Sequence, residues 1–338
     1  MIPRLISQAK TGSLPRNSTS WKLAGTKTFR LSSAKILGIW GSNLQNVSED
    51  LKDIYIPNEG KCFCKRDQAG AEARVVAYLC KPGAYRDLFK AGVKVHTYVA
   101  AHLFKSIWEH KLSSSLDKLL SLRILDLPFS DDWKTLASLI KSHDDFYFMA
   151  KIVCHASNYD IRPPKVALTV LKESRGRIRL SVKQSESFAE TYQNLFSEIP
   201  AWRRSTEREL SNSRILYNLF GYPRYFHGAW TEELLRDAYS WKPQSTVGTI
   251  TNLAVTDMQE HIEREKLSWD ILNNEHDSFL VQCPKDEWKA CLQVMQGCIE
   301  RELKTPSGEI FTMKSEAFHS ETSWANMPEV PKDVLSIV

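Results

Sequence analysis

The chain has 338 residues, 42% hydrophobic and 25% charged, with a formal net charge of +5. This composition excludes a fibrous, collagen-like or disordered protein and leaves a globular chain long enough for one large core or two lobes. No apolar run approaches the ~18 residues a membrane span needs, so no membrane partner is expected, and seven irregularly spaced cysteines suit a reducing compartment better than a disulfide framework.

The first acidic residue is Glu49; Arg4, Lys10, Arg16, Lys22, Lys27, Arg30 and Lys35 precede it among serines and threonines. Such a segment can neutralise phosphates without internal competition. Its composition also matches an organelle transit peptide, and a solvated basic tail over residues 1–20 is a third reading.

Further along, Lys61–Asp67 reads as a strand with Cys62 and Cys64 on one face and Phe63 on the other, and Ala71–Cys80 as a helix. Residues 106–141, rich in serine and leucine and without a motif, read as an insertion. Asp144 or Asp145 is expected to cap a helix running through Tyr159, ended near Asp160 and by Pro163-Pro164. Residues 185–213 read as helical with a break at Pro200, and Gly221-Tyr222-Pro223 as a turn. Ile271–Cys283 reads as a hairpin with His276-Asp277 at its bend, followed by an amphipathic helix over Glu287–Leu303.

Two aspartates stand in motif contexts, Asp67 in DQAGAEAR and Asp277 in EHDSF. Two carboxylates a few Å apart repel by several kcal/mol at an effective dielectric near ~20, so such a pair wants a proton or a metal ion between its members. Phosphoryl transfer to a sugar hydroxyl uses that need, with two divalent ions ~3.5–4 Å apart activating the hydroxyl and holding the leaving pyrophosphate. Lys151, His155 and Tyr159 in KIVCHASNY repeat at i, i+4, i+8 and share a helix face, where a lysine can grip a triphosphate and protonate a leaving group. A lone aspartate is more often a turn residue, and a Lys/His/Tyr stripe more often a mixed surface; the combination points to nucleotide chemistry.

These motifs resemble those of family A DNA polymerases, the group of bacterial DNA polymerase I and many phage replicases. DQAGAEAR resembles motif A, KIVCHASNY motif B and EHDS motif C. Thr28-Phe29-Arg30-Leu31-Ser32-Ser33, Asn43-Leu44-Gln45-Asn46, Val95-His96-Thr97, Leu219-Phe220-Gly221 with Arg224, and Pro243-Gln244-Ser245-Thr246 match further family stretches in the family's order, across residues 25–325. The resemblance implies an α+β fold, a right-hand palm with an antiparallel sheet and helical fingers. It divides the chain into a basic segment at 1–24, a first palm part at 25–83, fingers at 84–237 and a second palm part at 238–338. It makes Asp67 and Asp277 the catalytic metal ligands, with the Gln68 carbonyl as a further ligand, and two Mg2+ ions, replaceable by Mn2+, as cofactors. It makes Lys151 and His96 triphosphate contacts, Tyr159 with Glu72 the gate that rejects ribonucleotides, and His155 the ring against the incoming nucleotide. Arg30, Gln244 and His276 fall where the family reads the minor groove at the primer end, and Asn43, Gln45, Arg74 and Arg236 are further primer or template candidates. The partners implied are primer-template DNA and deoxynucleoside triphosphates.

Four positions depart from the pattern. Tyr147 stands where the family has a triphosphate-gripping arginine, for which Arg162 or Lys165 is the expected substitute. Ser278 replaces a glutamate, His155 a Phe or Tyr, and Phe29 a glycine. With both aspartates, Lys151 and Tyr159 kept, the pattern fits a divergent, phage-type branch acting in a cytoplasm, the host's if phage-encoded; a mitochondrial location goes with the transit-peptide reading. Only about 25 residues precede the first matched stretch, too few for a thumb or an exonuclease domain. The expectation is therefore a catalytic half without proofreading, either partnered by a separate thumb and exonuclease polypeptide or filling short gaps unaided. An alternative is a polymerase-derived DNA-binding subunit with weak or no catalysis. A single-subunit RNA polymerase is disfavoured by Glu72 with Tyr159. Zinc at Cys62-x-Cys64 is disfavoured because two further ligands of suitable spacing are missing from the sequence, which leaves buried reduced thiols as the ordinary reading.

Overall fold

The computed structural model of the chain describes residues 16–23, 25–36, 41–112 and 115–335. Arg4 and Lys10, with most of the basic segment expected at 1–24, lie outside them. The chain divides into two compact units. One comprises the chain up to Ala71, Gln244–Lys304 and Ile310 onward; the other comprises Glu72–Pro243 with Thr305–Glu309.

The first unit opens with a two-stranded antiparallel ribbon, β1 (Ser20–Lys22) and β2 (Ser32–Ala34), and then β3 (Lys61–Gln68). Gly70, at φ 61°, turns the chain out of β3 in a left-handed conformation that glycine adopts without a Cβ clash.

The second unit is helical: α1 (Ala71–Leu79), α2 (Ala84–Ala91), α3 (Val95–Leu103), α4 (Lys105–Glu109), α5 (Leu116–Leu120), α6 (Asp131–Ser142), α7 (Asp144–Asn158), α8 (Pro163–Glu173), α9 (Val182–Leu195) and α10 (Glu198–Ser213), followed by a hairpin of β4 (Ile215–Tyr217) and β5 (Pro223–Tyr225). Its core runs from Val76 and Leu88 to Tyr192 and Phe196. The motif-free stretch 106–141 supplies Trp108, Leu127, Trp133 and Ile140 to the same core.

Several local expectations need correction. The N-cap of α7 is His143; Asp144 and Asp145 occupy its first turn, where their charge meets the positive end of the helix dipole. That helix ends because Asp160 turns left-handed at φ 59° and Ile161 N donates back to Ala156 O at 3.0 Å. Pro163 and Pro164 instead open α8, at positions whose N–H groups have no helical acceptor. The break within 185–213 falls at Phe196-Ser197. Pro200 sits in the first turn of α10, where a proline removes no helical hydrogen bond.

The chain then forms α11 (Glu232–Glu265) and returns to complete the first unit with β6 (Asp270–Glu275), β7 (Ser278–Pro284), α12 (Trp288–Ile299), β8 (Glu302–Lys304), β9 (Ile310–Thr312) and β10 (Ser315–Ser320). The expected helix over Glu287–Leu303 stops at Ile299. Glu300 is extended, its carboxylate accepts from Ser315 N and Oγ at 2.9 and 3.0 Å, and the chain enters β8.

The main sheet has the antiparallel order β10-β3-β7-β6. Strand alternation sends Cys62, Cys64, Arg66 and Gln68 to one face and Phe63, Lys65 and Asp67 to the other. On the second face Phe63 packs with Leu280 and Trp324, which closes one end of the strand and leaves the Asp67 end more open. On the first, the register sets Cys283 opposite Cys62. Cys62, Cys64 and Cys283 are free buried thiols, the ordinary reading of the sequence, with Cys283 brought to the pair by register rather than by spacing along the chain.

Candidate active site

The carboxylate pair is made by one register. Asp67 lies opposite Ser278 on β7, so the preceding residue, Asp277, falls at the β6–β7 bend beside the end of β3, and Gln68 N donates to Asp277 O at 3.0 Å. The bend is fastened from α11. Thr251 Oγ1 donates to His276 O at 3.1 Å, and Gln68 Nε2 donates to Thr251 Oγ1 at 2.7 Å and to Val247 O at 3.2 Å. His276 takes the tight conformation this requires, with φ 39°.

Lys65, two residues before Asp67 and on the same face, lies 3.5 Å from Asp67 Oδ2 and 3.4 Å from Glu275 Oε2; Lys52 Nζ approaches the other oxygen of Glu275 at 3.5 Å. Burial pushes the Asp67 carboxyl up to about 7, and the charges of Asp277 and Glu275 push the same way against Lys65. An aspartate in this state holds a proton or shares a cation. Carboxylate and carbonyl oxygens are hard donors of the kind magnesium takes, so Asp67, Asp277 and the Gln68 carbonyl fit the expected ions.

Three elements set the flank of this unit. The Gln45 amide accepts from Ser33 N at 3.0 Å and donates to Leu31 O at 3.0 Å and Asn274 O at 2.9 Å, and Asn43 Oδ1 accepts from Ser33 Oγ at 2.6 Å and Gln45 N at 3.0 Å. Gln45 thus ties the Leu31–Ser33 segment to the hairpin that carries Asp277, and Asn43 fastens Ser33 to the Gln45 backbone. The segment around Arg30 lies against α11: a Cβ at Gly248 would come within 2.8 Å of Arg30 Cγ, and Asn252 Nδ2 donates to Phe29 O at 2.7 Å. Gln244 lies one turn before Gly248 on that helix. Phe29 has φ 59°, the conformation for which the glycine it replaces is suited.

In the second unit, α7 presents Lys151 and His155 to solvent, while Tyr159 at its C-terminal end is buried. The Tyr159 hydroxyl donates to Glu72 Oε2 at 2.7 Å, and His155 Nε2 lies 3.5 Å from the same oxygen with its ring edge-on to Tyr159. The expected gate pair and the expected stacking ring therefore meet at one carboxylate. Below them, Asn158 Nδ2 donates to the Tyr85 hydroxyl at 3.0 Å and its Oδ1 accepts from Tyr192 at 2.8 Å, which fixes the end of the helix.

His96 packs edge-on to Tyr147 with ring centroids 5.9 Å apart; burial, then the charges of Lys151 and Lys94, hold its imidazole down to about 4, so it is neutral at physiological pH. Arg162 and Arg236 both pair with Glu232, at 2.9 and 3.2 Å, so the first proposed stand-in for the missing arginine is engaged; Lys165 lies exposed on α8. The guanidinium of Arg74 lies over the Phe89 ring at 4.9 Å.

Sequence reasoning missed Lys65, Glu275 and Thr251. Lys65 was recoverable from strand alternation; Glu275 depends on the sheet register that brings β6 to Lys65, and Thr251 on how the bend meets α11.

A family model described as DNA polymerase family A matches residues 150–312. DNA polymerase I of Aquifex aeolicus (strain VF5) is 21% identical over 320 residues, covering 94% of this chain and 44% of that protein. The thermostable DNA polymerase I of Thermus filiformis is 23% identical over 297 residues, covering 84% of this chain and 30% of that protein. The chain thus spans less than half the length of these curated relatives. A solved structure, the POL domain of Pol1 from M. smegmatis in complex with DNA primer-template and dNTP, superposes with a TM-score of 0.67 at 17% identity over 96% of this chain and 50% of that one, which shows the shared fold.

Proposed function

We propose that this chain, which carries a family A DNA polymerase domain, adds deoxynucleoside monophosphates to a primer 3′-hydroxyl under the direction of a DNA template. The observation that carries the reading is the pairing of Asp67, at the end of β3, with Asp277, at the β6–β7 bend, through a single antiparallel register. Two magnesium ions, or manganese in their place, would there lower the pKa of the primer hydroxyl and offset charge on the transferring phosphoryl group. Asp67, Asp277 and the Gln68 carbonyl would hold them, and Lys65 orients Asp67 while limiting the repulsion within the pair.

Lys151, exposed on α7, grips the triphosphate and stands as a proton donor to the leaving pyrophosphate. Neutral His96 offers a hydrogen bond in the same service, and His155 lies against the incoming nucleotide. Tyr159, locked to Glu72, fills the space a 2′-hydroxyl would need. Arg30, Gln244 and His276 address the minor groove at the primer end, with Gln45 acting through the hairpin it braces, Asn43 through the segment it fastens to Gln45, and Arg74 and Arg236 as outer contacts.

The test is primer extension with magnesium, comparing deoxy- and ribonucleotides on wild type, Asp67→Ala and Asp277→Ala. Deoxynucleotide incorporation by wild type and its loss in both variants is expected. A variant as active as wild type would refute the carboxylate assignment, and an inactive wild type that still binds primer-template would favour the DNA-binding-subunit alternative.

A further inference from the structure

The face of the sheet turned away from Asp67 carries a cluster with no part in that chemistry. Alternation places Cys62 and Cys64 side by side on β3, and the register sets Cys283 across from Cys62. The three sulfurs lie within 4.8 Å of one another, with Cys283 Sγ 3.8 Å from Cys62 Sγ and 3.7 Å from Cys64 Sγ. Cys291, buried in the first turn of α12, is the nearest further thiol and interacts with Cys283 and Cys64; its sulfur stands outside the three-sulfur group and would draw in to complete a tetrahedron. All four side chains are fully buried. Four sulfurs at about 2.3 Å from a tetrahedral zinc ion stand about 3.8 Å apart.

Polar groups border the cluster. Arg66, on the same face and buried, donates to neutral acceptors, Leu292 O at 3.1 Å, Gln296 Oε1 at 3.0 Å and Ser315 Oγ at 3.3 Å. The Glu300 carboxylate, bonded to the same Ser315 hydroxyl, already lends this buried cation negative charge, and an anionic metal–thiolate centre two residues along β3 would add to it. His319, opposite Cys64 on β10, stacks on Trp288 at 4.5 Å and keeps a buried Nε2 without a hydrogen-bond partner.

We propose that Cys62, Cys64, Cys283 and Cys291 bind a single zinc ion at a structural site that clamps β3, β7 and α12 together. Binding exchanges the S–H protons for Zn–S bonds and leaves a centre of net charge −2, with no change of oxidation state. The site lies on the strand that carries Asp67 and would hold that strand in register from behind.

The test uses the full chain, expressed with zinc in the medium and purified under reducing conditions. Metal analysis should find one zinc per chain, released in step with organomercurial titration of thiols. Cobalt(II) exchanged into the wild type should give sulfur-to-metal charge-transfer and intense tetrahedral d–d bands. Cys283→Ser and Cys291→Ser should lose zinc, Cys298→Ala and His319→Ala should keep it, and a strong chelator should lower the wild-type Tm. Zinc far below one per chain together with a weak octahedral cobalt spectrum would overturn the proposal, as would a Cys62–Cys283 disulfide or iron in place of zinc. Zinc lost with His319→Ala but kept with Cys291→Ser would overturn the ligand set. Should the serine variants fail to fold, the wild-type cobalt spectrum still decides.

Discussion

The protonation of Asp67 can be followed without any turnover. An ordinary aspartate titrates at 3.8, whereas burial and the Asp277 charge push Asp67 up to about 7. At about 1.4 kcal/mol per pH unit, that difference is about 4 kcal/mol of disfavoured ionisation in the folded state. Its side chain is 31% exposed, so solvent screening reduces the figure to on the order of 2–3 kcal/mol. Because the folded-state pKa is raised, the stabilising contribution is complete below 3.8 and is lost as pH rises through about 7. Asp67→Asn carries no titrating group and lacks this loss. Urea denaturation of metal-free wild type and Asp67→Asn from pH 5 to 8 should therefore show wild type falling behind by about 2 kcal/mol across the window. Magnesium at pH 8 should return part of that difference to wild type and none to the variant. A stability gap that does not change with pH would refute the account of this carboxyl as a buried group held against a second negative charge.

Three further outcomes follow from local geometry. Tyr159→Phe removes the hydroxyl that donates to Glu72 and should lower stability by about 1.5–3 kcal/mol, the usual worth of a hydrogen bond to a charged group, measured by denaturation. Tyr159→Ala should in addition relax the choice between deoxy- and ribonucleotides more than it slows incorporation, and a purely kinetic defect in single-turnover assays would count against the gate. Phe29→Gly relieves a left-handed residue with a Cβ, about 1–2 kcal/mol of strain against about 0.4–1 kcal/mol of added unfolded-state entropy, and should raise the unfolding free energy by up to about 1 kcal/mol; an unchanged or lowered value would show the packing of its ring to be the larger effect.

Much of the site was legible because its signals are local. Alternation in KCFCKRDQ set the faces of β3 and delivered Asp67 to its end. The i, i+4, i+8 spacing put Lys151, His155 and Tyr159 on one helix, and the polar pair in EHDSF marked the hairpin bend. Where local signals compete, the sequence reading slipped. Pro200 looked like a helix breaker but sits in a first turn, where a proline removes no hydrogen bond, and the pattern after Ile299 continued past the point where Glu300 leaves the helix to bind Ser315.

The sequence by itself determined the chemistry-bearing residue types, the elements that carry them and the resemblance to family A polymerases. Only the tertiary structure decided which of those residues meet. The antiparallel register of β3 with β7 brings Asp277 beside the end of the strand that carries Asp67 and, on the opposite face, sets Cys283 against Cys62 and Cys64. The docking of α11 supplies Thr251 to the bend. Periodicity is a property of neighbouring residues and can be read along the chain, whereas register and burial arise from the packing of segments distant in sequence, and these set the state of Asp67 and the company of the thiols.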